Sequence, residues 1–288
     1  MPANRNFNQR NIGILCMFMH CFFISTSSIL LKIIQNHYHI TQIIFLYNFI
    51  ICSSLLCISF FSKKSLLKIS TNNIKYHFLR SIFGFGGFLL FFYSLSNMPI
   101  TETRAIIAID PLLTSLLAVF FFKEAIDTKK IVAFLITFAG AIILLHPSNI
   151  EFSIASFAAL LAALCFGIFN NITKRITSGK TIEQMFYLSF FSLIYTFFPA
   201  ALYWKRLMLV SDGFFIVLIS LTFALSSFCA FHAFKRADLS LLMPIHFTGI
   251  VMTAILGILV FNEQVGYLTI LGSFIIIIGT IPLFYKKN

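Results

Sequence analysis

The chain has 288 residues, 59% of them hydrophobic and 10% charged, with a mean hydropathy of +0.95 and a formal net charge of +12. A soluble domain carries about 25% charged residues, so an aqueous globule is excluded. The basic excess lies in short loops rather than on one polar face, which argues against nucleic acid. Apolar runs long enough to cross a hydrocarbon core of about 30 Å recur from end to end. They are continuous rather than alternating, so they predict helices and not barrel strands. The expected fold class is an all-α integral membrane protein with ten transmembrane helices.

The first span, 11–31, reads "NIGILCMFMHCFFISTSSILL", follows Arg5 and Arg10, and carries His20. It lacks an A-x-A site and nine spans follow, so it is expected to be an uncleaved helix rather than a signal peptide. The second, 42–62, contains "FLYNF" with Tyr47 and Asn48, and the third, 78–97, contains "GFGGF" from Gly84 and ends beyond Tyr93. That glycine cluster does not have the spacing of a phosphate loop, and close helix packing through small residues is its expected role. The fourth, 102–122, holds Asp110 directly before Pro111 in an otherwise apolar run; 131–146 follows, and 153–173 contains Asn170. The remaining spans are 184–204, 214–234, 239–261, with Pro244 and His246, and 266–285.

With the amino terminus in the cytoplasm, 17 of the 21 Lys and Arg residues fall on the cytoplasmic side. Only Lys32, Arg104, Lys205 and Arg206 fall outside. That asymmetry predicts both termini inside. Lys32, Arg80, Arg104 and Lys174 lie near span ends, where long cationic side chains reach for the interface, and anchoring is their expected role. The six cysteines all lie in apolar segments without a C-x-x-C pair, so neither a disulfide framework nor a zinc site is expected.

Sliding the chain by 139 residues lays "FFYSLSNMPITETRAIIAIDPLLTSLLAVFFFKE" (91–124) on "AFHAFKRADLSLLMPIHFTGIVMTAILGILVFNE" (230–263). Phe122 falls on Phe261, Glu124 on Glu263 and Gly140 on Gly279, while an offset of 142 aligns Lys32 with Lys174 and Gln42 with Gln184. Two units follow, 1–150 and 151–288, each with five spans. An odd number of spans forces the second unit to insert upside down. Such inverted repeats mark secondary transporters, which bind substrate near the midplane where the repeats meet.

The long fourth helix of each unit ending in Glu124 or Glu263, the glycine-bearing helix after it (Gly140, Gly279), and "YSLSNMPIT" before helix four resemble the EamA family of the drug/metabolite transporter superfamily. The resemblance spans nearly the whole chain and implies a ten-helix carrier of small metabolites. Within the family, "HFLRSIFGFGGFLLFFYSLSNMPITET" is most similar to members that take up S-adenosylmethionine. Members often carry an arginine in helix two where this chain has Tyr47 and Asn48, so no role is carried over from it. The family usually has a neutral residue before the proline of helix four, so Asp110 is particular to this chain.

Asp110 lies about eight residues into its span, about 12 Å deep at 1.5 Å per residue. A charge at that depth costs about 2.5–3.5 kcal/mol and is by default a functional group. It is expected to supply negative charge to a central cavity, with a structural carboxylate as the alternative. Pro111 and Pro244 would open their helices and free carbonyls. His246 and His20 could couple transport to protons, or pack. Tyr47, Asn48, Tyr93 and Asn170 are expected as hydrogen-bonding wall residues. The remaining acids are scattered, and no nucleophile constellation, metal-ligand set or Walker loop is present. An enzyme on lipid-linked substrates and an ATP-driven pump are therefore not expected, and no cofactor is required.

The expected function is secondary transport of a small polar metabolite across the inner membrane, cationic or zwitterionic given Asp110, with S-adenosylmethionine or an amino acid as examples. The Ile, Phe, Lys and Asn bias suggests an AT-rich genome and favours uptake; an exporter of the same fold is the alternative. The expected partners are the small-molecule substrate and the lipid bilayer, with a homodimer left open.

Overall fold

In the computed structural model, residues 7–34, 37–61, 74–98, 100–125, 127–146, 153–176, 180–206, 210–261 and 266–283 are described. Glu151, Glu263 and the loop cations Arg5, Lys63, Lys64, Lys68, Lys286 and Lys287 lie outside them. Twelve α-helices form in order: α1 (Phe7–Ile34), α2 (Ile40–Phe61), α3 (Ile74–Asn97), α4 (Ile100–Ile107), α5 (Asp110–Phe122) and α6 (Thr128–Leu145). The second unit supplies α7 (Ile154–Arg175), α8 (Thr181–Leu202), α9 (Val210–Arg236), α10 (Leu239–His246), α11 (Thr248–Phe261) and α12 (Tyr267–Thr280). Among the described residues nine helical stretches are long and apolar enough to span a bilayer, and the shorter apolar stretch Tyr267–Leu283 makes the tenth.

Spans four and nine are each interrupted. Helix α4 ends at Ile107 and α5 starts at Asp110, with Pro111 in its first turn and the Ile109 amide bonding back only three residues to Ile106. Helix α10 ends at His246 and α11 starts at Thr248. The two interruptions coincide in the repeat, since residue 108 falls on 247 at an offset of 139. The two prolines stand on opposite sides of their breaks. Pro111 starts the second half-helix, where its missing N–H is not needed. Pro244 lies inside α10 and removes an amide bond just before the break.

The packing has an internal two-fold relation. Helix α1 lies along α9 and α3 along α7; α1 packs on α11 and α5 on α7; α2 touches α9 and α3 touches α8. Helices α2 and α8 pair with each other, as do α6 and α12. These contacts of one repeat thus have counterparts in the other, as expected of two inverted five-helix repeats.

Glycine brings α6 and α12 together. A Cβ on Gly272 would lie 2.5 Å from the Leu144 amide nitrogen and 2.6 Å from the Gly140 carbonyl oxygen, and one on Gly279 would lie 2.8 Å from Thr137. In "GFGGF", Gly84 and Gly87 leave room for the Phe169 and Phe166 rings of α7, while Gly86 faces open space. Gly272→Ala should therefore destabilise the protein by about 1–3 kcal/mol, because backbone cannot move aside. Gly86→Ala should be neutral or stabilising by up to about 1 kcal/mol. Thermal midpoints of the two purified variants in detergent check this, and equal midpoints would refute the close contact.

Two anchoring expectations are corrected. Arg80 is 0% exposed and Lys174 8% exposed, so neither side chain reaches an interface. Arg80 is drawn inward over the Phe231 ring and Lys174 by a carboxylate from the other repeat. Arg104 and Lys32 do stay exposed, each over a ring, Phe91 and Phe261 respectively.

Candidate functional site

The broken spans meet at the centre, where α10 packs along α5. Asp110 stands in the first turn of α5, at the positive end of the half-helix dipole, which favours a carboxylate there. Its Oδ1 accepts a hydrogen bond from the Thr114 hydroxyl at 2.9 Å, one turn further along the helix. Thr114 Oγ1 in turn accepts from Asn170 Nδ2 at 3.2 Å, and Asn171 Nδ2 donates to the Thr114 carbonyl at 3.0 Å. Gly167 lets α7 come this close, since a Cβ there would lie 3.3 Å from the Thr114 amide. Among the described residues no cation pairs with Asp110, which is 8% exposed. The hydrogen bond that holds this buried carboxylate comes from the Thr114 hydroxyl, with Asn170 and Asn171 one step behind it.

The second interruption is lined differently. The rings of His20 and His246 stack at 5.7 Å, and Ser226 Oγ lies 2.8 Å from His20 Nδ1. The carbonyls released at the break find local donors: Thr248 Oγ1 bonds Ile245 at 2.7 Å, and the Cys21 thiol lies 3.7 Å from the His246 carbonyl oxygen. The structure thus joins His20 with His246, and Asp110 with Asn170, as two separate groups. No hydrogen bond links them among the described residues. Tyr47 packs on Phe223 at 4.8 Å, and Asn48 spends its amide on the Ile44 carbonyl of its own helix. Tyr93 is exposed and lines a cavity of about 200 Å³ with His39, Thr41 and Phe88, between α2 and α3 and away from Asp110.

The two-fold relation fails at the broken spans. Helix α10 packs on α5 and α6, both on the side that carries the amino terminus, whereas α4 and α11 make no comparable contact on the opposite side among the described residues. Glu124 fastens the closed side. It forms an ion pair with Lys174, accepts the α10 amides of Leu239 at 3.1 Å and Ser240 at 3.0 Å, and Lys174 also reaches the Ala237 carbonyl at 3.2 Å. Burial raises the Glu124 pKa, but the Lys174 charge and these hydrogen bonds outweigh it and hold the carboxyl below its usual range. Lys174 lies over Phe122 as Lys32 lies over Phe261, which are matching pairs in the repeat.

Thr114, Asn171 and Ser226 were not singled out in the sequence, and Arg80 only as an anchor. Thr114 had a signal, since it stands four residues after Asp110 on the same helical face. The others depend on contacts between distant segments.

A bundle of two inverted repeats, with both central helices broken at their crossing and an unpaired carboxylate at one break, defines a membrane transporter for small molecules and not an enzyme. Comparison with known proteins agrees: the model of the EamA-like transporter family matches residues 11–146 and 153–285. The chain belongs to that family. It is 28% identical to an S-adenosylmethionine uptake transporter of Rickettsia bellii, over 96% of this chain and 95% of that protein. Identity to the S-adenosylmethionine uptake transporter of Rickettsia felis is 27%, over 92% and 89%. A riboflavin transporter of Brucella anthropi matches at 24% over 38% of each chain. A solved crystal structure superposes with a TM-score of 0.82 at 16% identity, covering 95% of this chain and 96% of that one, and so shares the fold.

Proposed function

We propose that the protein carries a small cationic or zwitterionic metabolite, of the S-adenosylmethionine or amino-acid kind, inward across the inner membrane, with both termini in the cytoplasm. The observation that carries this is the unpaired Asp110 carboxylate at the crossing of the two broken spans. A sulfonium or ammonium group would replace the missing counter-charge, while Thr114, itself held by Asn170, keeps the carboxylate in place. The names of the Rickettsia relatives support this substrate class. His20 and His246 line the second break and serve as polar wall or proton site, with Tyr47, Asn48 and Tyr93 as further hydrogen-bonding wall residues.

In this scheme the conformation is closed on the cytoplasmic side by the α5–α10 contact and the Glu124–Lys174 pair. Transport exchanges that contact for its mirror image, α4 against α11. The two repeats make the two states close in energy, so modest binding energy suffices to shift between them.

Uptake of labelled S-adenosylmethionine by cells expressing the chain tests the proposal. Saturable uptake above empty-vector cells, competed by unlabelled compound, is expected. Uptake no higher than the vector control would reject S-adenosylmethionine and turn the search to amino acids and to export.

A further inference from the structure

Of the seven buried side-chain polar atoms without a hydrogen-bond partner among the described residues, four lie in one seam: His77 Nδ1, Arg80 Nε and Nη1, and the Tyr187 hydroxyl. His77 and Arg80 share one face of α3, three residues apart, and the His77 and Tyr187 rings approach to 5.0 Å. Arg80 gives Nη2 to the Gln184 carbonyl and lays its guanidinium over Phe231 at 5.0 Å. The residues are 3%, 0% and 5% exposed, respectively.

No carboxylate touches this charge among the described residues, although Glu183 is felt nearby at Tyr187 and Lys235. Among the described residues Arg80 has no ion-pair partner. The carboxylate of Glu183, next along α8, is committed to the Lys180 amide at 3.0 Å as a helix cap. Lys235 on α9 adds a second positive charge nearby, which feels both Glu183 and Arg80. A buried cation with two free N–H edges is costly unless something pairs with it. The donors that converge here, a guanidinium fork, a phenol and an imidazole, are those that recognise a planar carboxylate.

We infer that Arg80, His77 and Tyr187 form a carboxylate-binding station between α3, α8 and α9. Arg80 is six residues from the start of α3, so the station lies in the half of the bundle toward the amino-terminal side, apart from Asp110. It is sealed in this conformation and opens when α3 and α8 part. The identity of the anion as the carboxylate of an amino-acid-type solute rests on the transport proposal above, but the existence of the station does not. A solute with both charges would then meet Asp110 through its cation and Arg80 through its carboxylate, and amines lacking the carboxylate would be rejected.

The thermal midpoint of the purified protein in detergent, in sodium acetate against sodium chloride at equal ionic strength, tests the station with acetate as probe. Acetate should raise the wild-type midpoint by a few degrees, as a ligand of the folded state does. The shift should vanish in Arg80→Gln, be at least halved in Tyr187→Phe, and persist in Asp110→Asn. In chloride, Arg80→Gln should be at least as stable as wild type, because it removes a buried unpaired charge. No acetate shift in wild type, or an unchanged shift in Tyr187→Phe, would overturn the inference. So would an Arg80→Gln protein that is markedly less stable in chloride while Tyr187→Phe keeps the full shift, since Arg80 would then be structural. An Arg80-dependent acetate shift without S-adenosylmethionine uptake would leave the station and remove that substrate. Normal S-adenosylmethionine uptake by Arg80→Gln would keep that substrate and overturn the assignment of its carboxylate to the station.

Discussion

Asp110→Asn is expected to reduce the uptake efficiency of a cationic substrate by about thirty-fold or more at matched membrane expression. The estimate follows from the chemistry. Removing one partner of a desolvated charge pair costs about 2–5 kcal/mol, and each 1.4 kcal/mol is a factor of ten. Asparagine keeps the size of the side chain and can still accept from Thr114, so α5 should stay intact. The purified variant should be as stable as wild type or more so, because a buried unpaired charge is gone. Initial rates of labelled S-adenosylmethionine uptake across a concentration series measure the loss. Unchanged rates would make Asp110 a structural carboxylate and move the cation site elsewhere along the broken spans. Thr114→Val should weaken uptake less, since it orients the carboxylate without carrying charge.

Glu124→Gln is expected to destabilise the folded protein by about 3–5 kcal/mol, since it leaves the buried Lys174 ammonium without its counter-charge. The α10 amides of Leu239 and Ser240 also lose their anionic acceptor. The double variant Glu124→Gln/Lys174→Met should recover much of the loss, because neither charge is then stranded. The pH dependence has a definite sign. Glu124 is held below its usual pKa of 4.5, so its contribution is complete above about that pH and is lost as pH falls through the lower folded-state value. Thermal midpoints of wild type and the two variants, followed from neutral pH down into the acid range, give the comparison. Wild type should lose its advantage over Glu124→Gln in that acid window. Parallel curves across the whole range would show that the carboxylate is not engaged with Lys174.

The latch also explains a repeat feature that the sequence displayed without a reason. A glutamate follows the long fourth helix of each unit, and a lysine ends the first helix of each, in matching positions. Within one repeat these residues are far apart along the chain. Across repeats, Lys174 of the second unit meets Glu124 of the first, because inversion brings those ends to the same side. The pairing is a property of two units together and could not be inferred from either alone.

Much of the architecture was legible in the sequence because a bilayer is an unforgiving solvent. Each span had to be apolar over its length and satisfy its backbone internally, so helix positions followed from local composition to within a few residues. The repeat fixed the inversion by counting spans. Asp110 next to Pro111 announced a break, since a proline removes a hydrogen bond wherever it stands. What tertiary structure alone decided is which polar groups face each other. Arg80 and Lys174 look like interfacial anchors by position, yet both turn inward to groups more than 45 residues away, Gln184 and Glu124. His20 and His246 looked like isolated histidines, and they stack only because α1 crosses α10. The side on which the bundle is closed was likewise hidden. It depends on which half-helices touch, a choice between two near-symmetric packings of one sequence whose local preferences are the same in both.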